Sequence, residues 1–196
     1  MKKILLCLFV FALSACTLNV KNTPKDVVKE FLDKYKNQDN EVINDLDNTI
    51  SNEYVGEYKD RYKKIMVNQY KNMEYKIVDE VIDGNTAVVV ADITVYDYSN
   101  AISKSNTYLS EHSNEFSTNE ENNTENENDA LDSTNTNNNL DNDKFLEYKL
   151  GLLENVKDRK TYTIEFSLNK NNENKKWVLD SLTNQDIEKI HGLYQE

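Results

Sequence analysis

Cysteine is scarce: Cys7 and Cys16 are the two in 196 residues. Both precede any segment patterned like a folded domain, so no disulfide framework and no cysteine-based zinc site is available to that domain. Histidine is equally scarce. His112 and His191 have no partner at metal-ligand spacing, and both read as surface residues without a catalytic or metal role. Four glycines are too few for a Gly-rich phosphate loop beside their turn duties, and no G-x-S-x-G nucleophile turn occurs. Lys and Arg number 23 against 35 Asp and Glu, a formal net charge of −12. That balance excludes nucleic-acid binding through clustered basic side chains. The long hydrophobic run, Ile4 to Leu13, falls short of the roughly 20 residues a membrane-spanning helix needs.

What is present begins at the N-terminus. A basic start, Met1-Lys2-Lys3, leads into that apolar run and then into Leu13-Ser14-Ala15-Cys16, the form of a secretory signal. The last four residues resemble the lipobox of bacterial lipoproteins. The resemblance implies removal of residues 1–15, with a diacylglyceryl group on Cys16 as the lipid attachment. The competing reading is an ordinary cleaved signal with a cysteine nearby. Two acyl chains on one residue are enough for stable anchoring, whereas one is marginal. Cys7 would leave with the signal, so the domain must be held together by its core. An acidic chain is repelled by anionic headgroups, which leaves membrane attachment to the lipid. Residues 16–23 form the lipidated tether, of which 17–23 reach on the order of 23 Å when extended. The abundance of Asn, Lys, Ile and Tyr points to an AT-rich genome. The expected location is the extracytoplasmic face of the cell membrane in a Gram-positive bacterium.

Residues 24–196 read as one domain. Thr23 as cap, Pro24 in the first helical position and Asp26 three residues after the cap predict a helix, with Val27, Val28, Phe31, Leu32 and Tyr35 on one face. A short second helix carries Val42, Ile43 and Leu46. A third, from about Asn52 to Asn72, places Tyr54, Tyr58, Tyr62, Ile65, Met66 and Tyr70 at helical spacing. That stripe reads as a buried face, with ligand stacking as the alternative. The period then changes to two. Tyr75, Ile77, Asp79 and Val81 share one face of a strand, Asp83-Gly84-Asn85 is a hairpin turn, and Thr86 to Tyr98 is a second strand. Its Ala87, Val89, Ala91, Ile93 and Val95 face one way, and Val88 and Val90 suggest cover on the other side too. A helix with Phe145, Leu146, Lys149, Leu152, Leu153 and Val156 follows later. Then come a strand with Tyr162, Ile164, Phe166 and Leu168 inward, and another from Lys175 to Ser181 with Trp177 and Leu179. A last helix is capped by Thr183, with Asp186 three positions on and Leu182 and Ile187 as a staple.

Residues 113–143 differ in kind. They contain nine acidic side chains, no basic ones, and a matrix of Asn, Ser and Thr. Such a segment cannot bury enough apolar surface to offset its ordering entropy and reads as a disordered acidic insertion. Calcium binding is the alternative, but no D-x-[DN]-x-[DN]-G loop organises the carboxylates.

The order of elements predicts an α+β fold, an antiparallel sheet with helices on one face. The helix Pro24–Tyr35, the Asp83-Gly84-Asn85 hairpin and the closing strands around Tyr162-x-Ile-x-Phe-x-Leu and Lys175-Lys176-Trp177-x-Leu179 resemble the NTF2-like superfamily. More specifically, the chain looks like the small NTF2-like lipoproteins of Gram-positive bacteria. The resemblance covers about residues 24–182 apart from the insertion. It implies a cone of N-terminal helices wrapped by a curved sheet. Enzymes of that superfamily place a carboxylate base inside the cone, for which Asp79 and Asp92 are the candidates here; Asp92 otherwise reads as solvent-facing or at a bulge. The expectation is a non-catalytic binding module for a small ligand or an envelope protein, without cofactor. An isomerase- or hydrolase-type enzyme is the alternative, and a structural protein screened by its acidic loop is a third reading.

Overall fold

A computed structural model of the chain describes residues 22–51, 54–118 and 140–195. Its first helix, α1 (Pro24–Lys36), opens on a reciprocal capping box. The Asp26 N–H donates to the Thr23 hydroxyl at 3.2 Å, and the Thr23 N–H donates to the Asp26 carboxylate at 3.3 Å, so two otherwise free donors are satisfied. Two more helices follow, α2 (Asn40–Ile50) and α3 (Gly56–Asn72). The third begins later than the expected Asn52, at Gly56, which takes a positive φ of 56°.

A single antiparallel sheet then forms in the order β1 (Glu74–Asp83), β2 (Thr86–Tyr96), β3 (Arg159–Lys170), β4 (Trp177–Leu179). Between β2 and β3 lie α4 (Tyr98–Glu111), a 3-10 turn (Ser113–Phe116) and α5 (Asn142–Glu154), and α6 (Asn184–His191) closes the chain. The α+β class expected from the pattern is the class observed.

Alternation builds the sheet's inner face. Ala87, Val89, Ala91, Ile93 and Val95 are buried on β2, and across the ladder they meet buried Leu168, Phe166, Ile164 and Tyr162 on β3. Val28 and Leu32 of α1 fill the space above them, and Phe31 meets Phe166 edge-to-face at 6.1 Å. Val88 and Val90, expected to be covered, are only half-buried. A second core joins α2, α3, α4 and α5 through Leu46, Ile50, Ile65, Met66, Tyr98, Ala101, Leu150 and Leu153.

Three expectations need correction. Strand β1 does not keep Tyr75, Ile77, Asp79 and Val81 on one face. Ile77 lies opposite Ala91 but Asp79 lies opposite Val90, so Val78 is an extra residue and the faces exchange beyond it. Glu80 then aligns with buried Val89 and reaches the first turn of α1, accepting the Lys25 N–H at 3.1 Å and pairing with its ammonium at 3.4 Å. Strand β2 ends at Tyr96 rather than Tyr98, because Asp97 caps α4 by accepting the Asn100 N–H. The last strand is shorter than Lys175–Ser181.

The acidic stretch 113–143 is ordered at both ends. Phe116 is buried, Ser117 bridges to Leu140, and Asp141 caps α5 by accepting the Lys144 N–H at 3.0 Å. Residues 119–139, and with them most of the expected insertion, lie outside the described residues, as do residues 1–21 with the expected signal and Cys16.

Candidate functional site

Two adjacent residues of α3 tie the helical layer to the sheet and to α6. Gln69 is fully buried. Its Nε2 donates to the carbonyls of Tyr96 and His191, both at 2.9 Å, and its Oε1 accepts the Tyr96 N–H at 2.8 Å. A primary amide has two donors and a carbonyl oxygen, and all three partners here are backbone groups at the ends of other elements. The end of α6 is thereby held against the end of β2. Gly192 makes the approach possible. It takes a φ of +70°, and a Cβ there would stand 2.1 Å from the Tyr96 carbonyl oxygen and 2.4 Å from Gln69 Nε2.

The next residue, Tyr70, brings its hydroxyl to 3.2 Å from His191 Nε2. The Tyr35 ring stands edge-on to Tyr70, with centroids 5.2 Å apart and planes at 83°, and lies 6.2 Å from the His191 ring. Such aromatic pairs contribute about 0.5–1.5 kcal/mol beyond their buried area. One helix, α1, therefore serves two ends: its Val28 and Leu32 face the sheet, and its Tyr35 joins this cluster.

Beside the cluster lies a cavity of about 340 Å³, at the small end of the roughly 300–1,000 Å³ usual for ligand pockets. Val42, Leu46 and Ile50 of α2 with Met66 of α3 supply apolar wall. Tyr35, Tyr62, Tyr70 and His191 supply polar atoms, while the exposed Asp45 and Thr49 stand at its rim. Tyr62 is stacked on Tyr54 at 4.6 Å.

Burial sets the charge state of this group. It pushes the His191 pKa down to about 4, so the imidazole is neutral at neutral pH, with one ring nitrogen a donor and the other an acceptor. Tyr70 is raised, first by burial and then by the Tyr35 and Tyr62 hydroxyls. Tyr35 is raised by burial and then by the Asp45 carboxylate. The lining therefore offers neutral hydrogen-bonding groups, aromatic rings and one carboxylate. Among the described residues no lysine or arginine lines the cavity.

His191, read from sequence as a surface residue, is corrected to a member of this wall, because α6 is drawn inward by Gln69. Of the tyrosines expected as one helical stripe, Tyr54 precedes α3 and is core like Tyr70 of that helix, yet Tyr62 and Tyr70 also line the cavity. Asp79 is exposed on β1, and Asp92 lies on the outer face of β2, accepting the Thr163 hydroxyl at 2.7 Å. Neither approaches the cavity. His112 ends α4, stacked on Tyr108 at 4.1 Å. Among the described residues no three His, Cys, Asp or Glu side chains are grouped to hold a metal ion, and no helix is long and apolar enough to cross a membrane.

Sequence reasoning missed Gln69, Asp45 and Gly192. A polar residue beside Tyr70 in an otherwise apolar stripe was a signal for Gln69, and a glycine following the last helix was one for Gly192. Asp45, exposed on an acidic helix, carried none. No protein-family model matches the chain, and no match was found among curated proteins or among solved structures.

Proposed function

We propose that the chain is a membrane-anchored extracytoplasmic lipoprotein, held by a diacylglyceryl group on Cys16, whose domain is a non-catalytic module binding a small ligand. The anchoring half rests on the sequence Leu13-Ser14-Ala15-Cys16 after a short basic and apolar start. The binding half rests on the cavity between α2, α3 and α6, where apolar wall surrounds the neutral His191 and the Tyr35 and Tyr70 rings. An NTF2-like arrangement is the fold reading that accompanies it, supported by three leading helices and by α1 packed across the sheet's inner face. In that reading the usual space between sheet and first helix is filled by Val28, Leu32 and Phe166, and the ligand space is displaced toward the helical layer.

Thermal-shift screening of the full chain in maltoside detergent against small metabolites tests the binding half. A true ligand raises Tm by mass action, and the exposed rim substitution Thr49→Trp abolishes that rise while leaving the unliganded Tm in place. Conversion of the stabilising compound to product in the same tube, followed by mass spectrometry, overturns the non-catalytic reading.

A further inference from the structure

Chemical selectivity in the cavity is set by which charges and dipoles line it. Among the described residues the one formal charge on its lining is Asp45, and α2, which supplies that residue, contains no lysine or arginine along its length. The neighbouring lysines of this region are engaged elsewhere: Lys34 pairs with Glu41 at 2.8 Å and Lys63 with Asp47 at 2.7 Å. His191, which could have supplied a second charge, stays neutral in its half-buried position. Three tyrosine rings complete the lining. Tyr35 and Tyr70 stand perpendicular to one another, and Tyr62 is fixed by its stack on Tyr54. An aromatic face carries the negative lobe of its quadrupole, so the tyrosine rings on the lining favour a cation over an anion. An anion meets the opposite: a carboxylate at the rim, with no lysine or arginine among the described lining residues to balance it.

Resting on the reading of the cavity as a binding site, we infer that its ligand class is an organic cation of the alkylammonium type, with the ammonium seated among Tyr35, Tyr62 and Tyr70 and facing Asp45. The apolar wall from Leu46, Ile50 and Met66 accepts the alkyl part. The hydroxyl of Tyr70 and the His191 ring are positioned for a neutral polar group at the inner end. The net negative charge of the chain acts in the same direction at longer range by raising the local concentration of cations.

The experiment compares choline with dimethylbutanol, its uncharged carbon isostere, by calorimetric titration of the full chain in maltoside detergent. The expected result is about tenfold or greater preference for choline, since the pair differ in charge and not in shape. Asp45→Asn, an exposed position where folding is not at risk, lowers choline affinity roughly threefold to tenfold and leaves the isostere unchanged. Tyr62→Phe keeps choline affinity, whereas Tyr62→Leu reduces it. Equal binding of the two probes, or indifference of choline to Asp45→Asn, overturns the assignment to cations while the binding reading stands. Failure of both probes, together with no stabilising compound in the thermal-shift screen, overturns both.

Discussion

The Gln69 side chain takes up both backbone hydrogen-bonding groups of Tyr96, accepting its N–H at 2.8 Å and donating to its carbonyl at 2.9 Å. A side-chain amide here does what a neighbouring strand would do, and it does so beyond the end of the pairing between β1 and β2, where Glu74 lies opposite Thr94. Because the same nitrogen also reaches the His191 carbonyl, helix α3, strand β2 and helix α6 share one residue.

Gln69→Leu fills similar space but leaves the Tyr96 N–H, the Tyr96 carbonyl and the His191 carbonyl buried without that partner. Each orphaned group costs about 1–3 kcal/mol, so a loss of roughly 3 kcal/mol or more is expected in urea denaturation. A loss below about 1 kcal/mol would show that water or a shifted neighbour replaces the amide.

Gly192 and Gly84 offer a matched pair. Both have positive φ, +70° and +58°, but a Cβ at Gly84 meets nothing within 4 Å, whereas one at Gly192 enters the Gln69–Tyr96 contact. Gly84→Ala is expected to cost about 1–2 kcal/mol through backbone strain alone. Gly192→Ala adds displacement of β2 from α6 and should cost at least about 2 kcal/mol more. Equal losses in the two variants would refute the close approach.

His191 makes stability fall with acid. Its pKa is about 4 in the folded chain against 6.5 without burial, so below pH 6.5 the unfolded chain takes up a proton that the folded chain refuses. Stability is therefore lost as pH drops from about 6.5 to about 4, by up to roughly 3 kcal/mol from this group. His191→Gln removes the titration and keeps polarity. Parallel stability curves for the two proteins across that interval would contradict the burial of the ring.

The acidic stretch can be shortened at a defined place. Ser117 and Leu140 are bridged, so replacing residues 119–139 by a short Gly-Asn turn should leave Tm within a few degrees. Removing all of 113–143 also takes away buried Phe116 and the first residues of α5, a loss of about 3–5 kcal/mol if only the phenyl packing is counted. Equal stability of the two deletions would mean that Phe116 packs against nothing of consequence.

Cys16→Ala tests the anchor. Expressed in a Gram-positive host, the variant should accumulate as an uncleaved precursor or appear in the medium, while the parent partitions with membranes and carries lipid detectable by mass spectrometry. A processed variant that still sediments with the membrane would refute lipid attachment at Cys16.

Most elements were legible from local rules. Capping at Thr23 and Thr183 is encoded within four residues, and the alternation of Tyr162, Ile164, Phe166 and Leu168 survives intact because both faces of β3 are set by its own side chains. The bulge at Val78 was not legible, since β1 offers apolar residues on both faces and only the register against β2 selects which are used. The candidate site was legible least. Tyr35, Asp45, Tyr70 and His191 come from four helices, up to 156 positions apart in the chain. Asp92 was the exception: in a valine-rich strand it reads as solvent-facing or at a bulge, and the pleat turns it outward to Thr163.

By itself the sequence determined the α+β class, the caps, the hairpin turn and the acid balance, all of which depend on residues close in the chain or on composition. Tertiary structure alone decided that Gln69 would join three elements, that Gly192 would have to be bare, and that His191 would turn inward beside Tyr70 and lose its charge. The physical reason is that hydrogen bonding and desolvation at a buried site depend on which distant groups arrive there, and no periodicity records that.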